Sequence, residues 1–333
     1  MKIRVAFLGA FVLLWQFIFS AETDSTKCKI LTPSLTLNKP RVYTVAGSWT
    51  AIYSGVLIGF NELWYKNYPR SSFHFFNDTK EWQQIDKVGH AYASYFESKW
   101  SIDALRWAGV ENKKAIWIGG FVGPVFQTTV EILDGFSEKW GASWADLAAN
   151  QVGAFMVIGQ ELAWQEQRIV FKYSAHTEEY DPSVQQRVND LYGIGFWETI
   201  MKDYNGQDYW LSANPSSFIK EETKFPKWLN VAVGYGAGGM FGGFENKWYE
   251  SGPDLGEVFL VDRTDIIRYR KFFISPDIDF TRIKTESRFL KFAFGLINII
   301  KFPAPAIEFN TKGEILFHPV YYLNWSKPLV MAK

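Results

Sequence analysis

The sequence of 333 residues contains a single cysteine, Cys28, and carries no net charge, with 35 Lys and Arg against 35 Asp and Glu. One cysteine cannot form a disulfide within the chain or build a zinc site from several thiolates. A chain without excess cations has no general attraction for nucleic-acid phosphates. Charged residues are also sparse, at 21%, where a soluble domain has about 25%. Nucleic acid is therefore not expected as a partner.

Aromatic residues are abundant instead, at 18% of the chain. Disordered segments are poor in aromatics, so most of the chain is predicted to be ordered. Aromatic side chains suit either a large core or a membrane–water interface. Nine of the 15 Trp lie between residues 43 and 172, many of them near predicted helix ends. That placement favours the interface.

The first 21 residues have the layout of a secretory signal peptide or an N-terminal anchor. A basic start at 1–4 is followed by an apolar run at 5–19 and then by two small residues. This order is typical of signal peptides. The run is shorter than the roughly 20 residues of a membrane span, which favours export. Residues 22–42 are predicted to be a polar linker, in which Cys28 does not directly follow the apolar run.

A helical domain is predicted at residues 43–172. Its four segments lie at about 44–65, 82–108, 113–133 and 144–168. Uncharged stretches occur at 44–61, 115–130 and 147–160, and only the first approaches the length of a membrane span. Two interpretations fit this pattern: a compact helical bundle partly sunk in a bilayer, or a soluble bundle with an aromatic core.

Polar side chains share one stripe of the second predicted helix. Asp86, His90 and Glu97 lie within about 40° of each other at 100° per residue. On the third helix, Glu131 and Asp134 stand near the C-terminal end, where acids oppose the helix dipole. A role in local helix stability is therefore not expected for these two acids.

The fourth predicted helix carries a polar stripe of its own. Asp146, Asn150 and Gly153 lie on one face, and the glycine permits close approach of a neighbour. Ser143 is predicted to cap the N-terminus of this helix, and Asp146 resembles the partner of a capping box.

Packing of these three helices would bring their polar residues together. One imidazole with several carboxylates can bind a divalent cation or act as an acid–base centre. The candidate catalytic and metal-binding residues are Asp86, His90, Glu131 and Asp146, and the polar network is completed by Glu97, Asp134 and Asn150. The structural alternative makes Asp146 a capping residue, Asp86 a residue favoured by the helix dipole and His90 a hydrogen-bonded core histidine.

Three motifs in fixed order carry a resemblance to known families. They are DKVGH at 86–90, EILDG at 131–135 and SWADLAANQVG at 143–153. Together they resemble the YfiM-type family, a bacterial domain of unknown function described as a periplasmic or outer-membrane lipoprotein. The order of the motifs is also similar to that of VanZ-like membrane proteins. The resemblance covers about residues 80–165. It implies a helical envelope protein and brings no established reaction.

Residues 173–333 are predicted to form a mixed helix and strand region. A helix begins at Asp181 and runs to about 202, and a second spans about 289–300. Strands are predicted at 229–235 and 314–323, and residues 268–283 form either a bulged strand or two short ones. The spacing Gly234-x-Gly236-x-x-Gly239 matches a dinucleotide fingerprint, but no helix follows it and no βαβ unit is present, so a nucleotide cofactor is not expected.

The fold class predicted from these patterns is α+β, with an N-terminal bundle of about four helices followed by a β-rich region. That region forms either a small sheet packed on the bundle or a partial barrel-like wall with interfacial aromatics. Several of its cations could contact lipid headgroups or simply be solvated, namely Lys271, Arg282, Lys284, Arg288 and Lys291.

The function predicted from the sequence is that of an exported, membrane-associated cell-envelope protein with a binding or structural role. Membrane lipid or envelope components are its expected partners. The alternative is a hydrolase acting on an envelope lipid or glycan, with His90 as general base and a divalent cation as the candidate cofactor.

Overall fold

The computed structural model describes residues 31–66, 68–219, 225–251, 258–321 and 328–332. The predicted signal peptide or anchor and Cys28 lie outside the described residues. The chain divides into two compact units. The first is formed by the described residues up to Asn77 and by Ala93–Glu166. The second is formed by Asp78–Tyr92 and the described residues from Gln167 onward.

The first unit is helical. Its helices are α1 (Lys39–Phe60), most of α2 (Ile85–Trp107), α3 (Asn112–Gly120), α4 (Val122–Gly135) and α5 (Trp144–Trp164). A π-helical turn, Asn61–Tyr65, continues α1. The helical stretch Asn112–Gly135 is long and apolar enough to cross a membrane, and 33% of its most apolar window is buried.

The third predicted helix is in fact two helices, α3 and α4, which meet at Phe121. Pro124 explains the break, because a proline has no backbone N–H to donate to the carbonyl four residues earlier. That carbonyl, of Gly120, accepts a hydrogen bond from the Ser98 hydroxyl at 2.7 Å instead. The predicted continuous segment was therefore wrong at its proline.

The second unit is built on an antiparallel sheet with strand order β1-β2-β3-β6-β7-β8-β9. These strands are β1 (Ile169–Ala175), β2 (Gln207–Ala213), β3 (Leu229–Gly238), β6 (Tyr269–Ile278), β7 (Ala306–Asn310), β8 (Ile315–His318) and β9 (Leu329–Ala332). A separate hairpin pairs β4 (Lys247–Ser251) with β5 (Val258–Asp262). The helices of this unit are α6 (Gln185–Tyr192), α7 (Phe196–Lys202) and α8 (Arg288–Ile297).

Two sequence predictions for this unit need correction. The helix expected from Asp181 to about 202 is divided, because Gly193 adopts a positive φ of 78° between α6 and α7. The segment around Pro276 contains neither a bulge nor a break. The register of β3 and β6 runs without a shift from Leu229 opposite Ile278 to Gly238 opposite Tyr269. Strands β1 and β2 had not been predicted.

The glycines of the fingerprint-like spacing lie in and just after strand β3, and each has a packing reason. A Cβ at Gly234 would lie 2.6 Å from the Trp210 ring, and one at Gly236 would lie 1.9 Å from Oδ1 of Asp208. Gly239 has a φ of 69°, a conformation that side chains rarely adopt. Close packing within an antiparallel sheet thus accounts for this glycine spacing.

The coarse fold prediction is confirmed in the described part of the chain: it is α+β, with helices first and a β-rich region after them.

Candidate functional site

The predicted site residues are divided between the two units. Asp86 and His90 lie at the start of α2, within the second unit. The others lie in the first unit: Glu97, Glu131, Asp134, Asp146 and Asn150.

Asp86 is held by three neighbours within the second unit. Its carboxylate accepts hydrogen bonds from the Tyr204 hydroxyl at 2.9 Å and from Lys87 Nζ at 3.0 Å. His90 Nε2 lies 4.0 Å from Asp86 Oδ1, as expected for residues four apart on a helix. Burial favours the neutral acid, but His90 and Lys87 outweigh it and lower the pKa of Asp86. The carboxylate is therefore ionised at neutral pH.

A second carboxylate shares the lysine. Lys87 Nζ forms an ion pair with Asp78, which is buried. Glu81 interacts electrostatically with both Asp78 and Lys87. Burial together with the repulsion of Asp78 raises the pKa of Glu81 from 4.5 to about 7, although Lys87 and Arg268 oppose the shift. Lys87 belongs to the DKVGH motif, so the sequence offered a signal for it. Tyr204 lies 118 residues from Asp86 and gave none.

The chain enters α2 through a strained turn. Trp82, Gln83 and Gln84 have positive φ angles of 48°, 51° and 64°. Such conformations cost of order 1–3 kcal/mol each and persist only where surrounding contacts enforce them. The Tyr235 hydroxyl donates to the Gln83 carbonyl, and Arg270 Nη2 donates to Gln84 Oε1 at 2.7 Å. Side chains of β3 and β6 thus fix the position from which Asp86 projects.

We expect the Glu81→Gln variant to be more stable than the parent chain at alkaline pH. The folded-state pKa of Glu81 lies above its unfolded value, so Glu81 disfavours folding progressively as the pH rises from about 4.5 to about 7. Glutamine does not ionise, so the variant does not lose this stability as the pH rises. Partial solvation of the carboxylate makes the gain smaller than the full shift would give.

Urea unfolding of both proteins over this pH range measures the effect. The two curves should coincide below about pH 4.5 and separate above it. The exposed Glu179, changed to glutamine, is the control and should give no such separation. A Glu81→Gln difference that is constant with pH would contradict the prediction.

Hydrogen bonds of buried polar residues link α4 to α5 and α2 to α5 in the first unit. Glu131 Oε2 accepts the backbone N–H of Ser143 at 2.8 Å, and Ser143 Oγ accepts that of Asp146 at 3.1 Å. The Ser94 hydroxyl donates to the Asn150 carbonyl at 2.7 Å. The predicted N-cap at Ser143 is confirmed. The capping-box interpretation of Asp146 is wrong. The acid of a capping box accepts a hydrogen bond from the backbone N–H of the N-cap residue, and here the N–H of Ser143 donates to Glu131 instead.

Asp134 and Glu97 make other contacts. Asp134 accepts a hydrogen bond from the Tyr65 hydroxyl at 2.8 Å, whereas Glu97 accepts one from Gln127 Nε2 at 2.9 Å. Burial raises the pKa of Glu97 to about 8, although Gln127 lowers it in part. Glu97 is therefore largely protonated at neutral pH. Its partner Gln127 had not been predicted.

The sheet of the second unit contains charged residues that were not predicted to be buried. Lys172 Nζ lies 2.9 Å from Asp277 Oδ2, and both side chains are inaccessible to solvent. Lys301 Nζ lies 3.7 Å from Asp277 Oδ1 and donates to the Ser275 hydroxyl at 3.0 Å. Lysine and aspartate usually indicate surface, which is why the sequence gave no signal for this cluster.

A second buried charge cluster lies along the same sheet. Lys271 Nζ is 3.6 Å from Asp208 Oδ1 and donates to the Asn205 carbonyl at 2.9 Å. The Tyr321 hydroxyl donates to Asp208 Oδ2 at 2.7 Å. Lys271 is thus buried, which corrects its suggested contact with lipid headgroups.

Comparison with protein families gives one match. Residues 74–158 match the family described as "Predicted periplasmic lipoprotein (DUF2279)". No curated protein and no solved structure matches the chain. The matched range includes both the Asp86–His90 pair and the Glu131–Ser143 contact. The match confirms the predicted location, an exported protein of the cell envelope, and is consistent with a domain of unknown function.

Proposed function

We propose that this envelope protein works at a membrane, with its first unit in contact with lipid and its buried polar residues holding the helices together. The observation that carries this proposal is the inverted polarity of α5. Its exposed residues include Trp144, Val152, Phe155 and Leu162. A helix that faces water presents its polar residues outward instead.

The polar residues of α5 are on the other side. Asp146, Asn150, Gln160 and Glu161 are all buried. Ionisable residues of membrane helices face the interior of the bundle, where they pair with other polar groups. Arg106 Nη2, for example, lies 2.5 Å from Glu161 Oε2. This arrangement supports a bundle whose surroundings are apolar.

The α3–α4 stretch, like α5, has apolar residues on its exposed side. Ile118 and Val125 are about three-fifths exposed, at 60% and 62%, and Ile132 is also exposed. These three residues are seven apart, so they lie along one side of the helical stretch. Glu131 is buried on the other side. Two neighbouring elements thus present apolar surface outward.

A structural role for the polar residues follows from their contacts. The Glu131–Ser143 and Ser94–Asn150 hydrogen bonds each join two helices. In an apolar environment, helices gain little from burying further apolar surface, so such bonds contribute to specific association. The proposed role is therefore that of a helical membrane-surface module that binds or organises envelope components.

Charging the exposed face of α5 tests the proposal. We expect the double variant Val152→Lys/Phe155→Lys to lose retention in the membrane fraction during carbonate extraction of cell envelopes. A lysine on a helix face that contacts hydrocarbon is costly, whereas a lysine on a face that contacts water is harmless. The matched control is Glu111→Lys, an exposed polar position of the same unit. Helical content measured by circular dichroism should be unchanged in both.

Two results would contradict the proposal. One is complete release of the parent chain into the soluble fraction. The other is equal retention of the double variant and the parent chain.

The finer family assignment is also a proposal. The three motifs support a YfiM-type domain with VanZ-like motif order, and the predicted boundaries are 22–42 for the linker, 43–172 for the helical domain and 173–333 for the remainder. The hydrolase with Asp86, His90, Glu131 and Asp146 as catalytic or metal-binding residues stays a prediction from the sequence. Divalent-cation analysis of the purified chain is its first test.

A further inference from the structure

The central strands of the second unit alternate between two very different faces. On β3 and β6, Val233 and Ile274 point to the same face and are 51% and 50% exposed. Val231 and Phe272 are exposed on that face too. We call this side of the sheet the outer face. Ordinary antiparallel sheets place apolar residues toward the core and polar residues toward water.

The opposite face carries the buried charges. Asp208, Lys271, Lys172 and Asp277 are all at most 4% exposed and are ion-paired with one another in the two clusters described above. Glu308 on β7 is buried on this face and accepts a hydrogen bond from His318. The inner face also carries the buried rings of Trp210 and Phe273, so its charges are paired among apolar side chains, while the outer face exposes apolar surface.

The apolar outer face is continuous across neighbouring strands. Leu211 stands opposite Val233, Val233 opposite Ile274, and Ile274 opposite Ile307. Phe309, opposite Phe272, is exposed as well. Single exposed apolar residues are normal in any protein, but contiguous patches mark contact surfaces. Along β6 the band runs from Phe272 to Ile278, about 20 Å at 3.3 Å per residue.

The two ends of this band differ from its middle. At one end, Arg168 directly precedes β1, and Lys227 and the exposed Trp228 precede β3. At the other end, the paired Tyr173, Tyr209 and Tyr235 are covered by the start of α2 and the turn before it: the Tyr209 ring packs on Tyr92, and the Tyr235 hydroxyl donates to the Gln83 carbonyl. Tryptophan and basic residues mark the headgroup level of membrane proteins, so the uncovered first end is the one suited to headgroups.

Helix α8 adds a second amphipathic element to this unit. Its exposed apolar residues include Phe289, Leu290 and Ile297, while Arg288 and Lys291 are exposed cations. At 100° per residue, the two cations lie within about 60° of each other and the apolar residues lie on the remaining surface. A short basic amphipathic helix of this kind is typical of the membrane interface.

We infer that the outer face of the sheet lies against the acyl chains of a bilayer, with its Arg, Lys and Trp end at anionic headgroups. The observations favour lipid over a second copy of the chain. The basic residues at the uncovered end complement anionic headgroups, whereas the same end in a second copy offers them no opposite charge. A band of about 20 Å is deep enough to pass through one leaflet of a hydrocarbon core about 30 Å thick.

This inference goes beyond the proposed function, because it assigns a lipid-contacting surface to the second unit. It rests on the strands of that unit and not on the α3–α4 and α5 faces. The experiment must therefore report on the two surfaces separately.

Site-directed fluorescence gives that separation. Cys28, the only cysteine, is replaced by serine, and single cysteines are introduced in the full chain at Val233 or Ile274. Each is labelled with a small environment-sensitive fluorophore. The proteins are reconstituted in vesicles of phosphatidylethanolamine and phosphatidylglycerol with brominated acyl chains, which quench a fluorophore only at the depth of the chains. The control is Ile194→Cys, an exposed apolar position of the same unit outside the sheet.

We expect the brominated acyl chains to quench the fluorophore at positions 233 and 274 and to leave the fluorophore at position 194 unquenched. Equal quenching at all three positions would overturn the inference. Shielding of 233 and 274 without lipid, increasing with protein concentration, would also overturn it in favour of a second copy. A Val152→Cys label distinguishes the two proposals: quenching at 152 but not at 233 or 274 leaves the proposed function standing and removes this inference, whereas quenching at 233 and 274 alone does the reverse.

Discussion

Replacement of Asp277 by asparagine is expected to lower the free energy of unfolding of the second unit by about 3–5 kcal/mol. Asp277 is the carboxylate between two buried lysines, Lys172 and Lys301. Its removal leaves two ammonium groups in the interior without the charge that compensates them. Asparagine has nearly the same shape and can still accept the hydrogen bond that Ser212 donates to Asp277 at 2.6 Å. The backbone N–H of Phe302, which donates to the other oxygen at 3.1 Å, would face the amide NH2 instead, so the loss would report on the charge and hydrogen bonds of the carboxylate and not on packing.

The response of the two lysines sets the size of this effect. Burial lowers the pKa of Lys301 to about 8, although Asp277 opposes the shift. Without Asp277, Lys301 can lose its proton at moderate cost and still interact with its uncharged neighbours. Lys172 is therefore the better position for rescue, because its ammonium lies 2.9 Å from Asp277.

Urea unfolding of Asp277→Asn and of Asp277→Asn/Lys172→Met measures the prediction. The double variant should regain part of the lost stability, because methionine occupies similar space without a charge. The Glu179→Gln variant is an exposed control for loss of one carboxylate. If the single variant unfolds like the parent chain, the ion pairs of Asp277 do not stabilise the fold and the ion-pair interpretation is wrong.

Introduction of a methyl group at Gly236 is expected to cost about 3 kcal/mol. The Cβ of alanine would lie 1.9 Å from Oδ1 of Asp208 and 3.0 Å from Cε of Lys271. Neither side chain can move freely, since Tyr321 donates to Asp208 and Lys271 donates to the Asn205 carbonyl. The new atom must therefore separate a buried ion pair or displace the strand.

Gly295→Ala is the matched control for Gly236→Ala. Gly295 lies in α8, and nothing is within 4 Å of a Cβ placed there. Alanine should stabilise that helix by up to about 1 kcal/mol. Thermal unfolding of the two variants should thus shift in opposite directions. A Gly236→Ala variant as stable as the parent would show that Asp208 and Lys271 are not tightly paired.

The helical regions were predicted well, apart from the divisions at Phe121 and Gly193, because their apolar periods are long and local. The predicted second helix, 82–108, closely matches α2, Ile85–Trp107. Its start differs because Trp82, Gln83 and Gln84 adopt a left-handed turn that contacts with Tyr235 and Arg270 enforce. Such contacts between residues more than 150 positions apart leave no trace in a local pattern.

Strands β1 and β2 were missed for a related reason. Their inward positions include Lys172, Asp208 and Ser212. Residues of these types normally mark the solvent side of a strand or a loop, so their burial against other charges is not visible in one segment. Only part of the site was predicted, for the same reason. The pair Asp86 and His90 follows from a spacing of four, whereas Tyr204 and the Glu131–Ser143 contact depend on the fold.

The abundance of aromatics, the absence of net charge and the helical periods are properties of the sequence alone, and they indicated an ordered α+β envelope protein. What only the tertiary structure decided is which face of each element is inside. A period of 3.6 or 2 separates two faces of a helix or strand, but it does not say which one is covered. Coverage depends on distant partners, such as Asp277 for Lys172 and Glu131 for the Ser143 amide. These partners draw the polar faces inward and leave the apolar faces exposed.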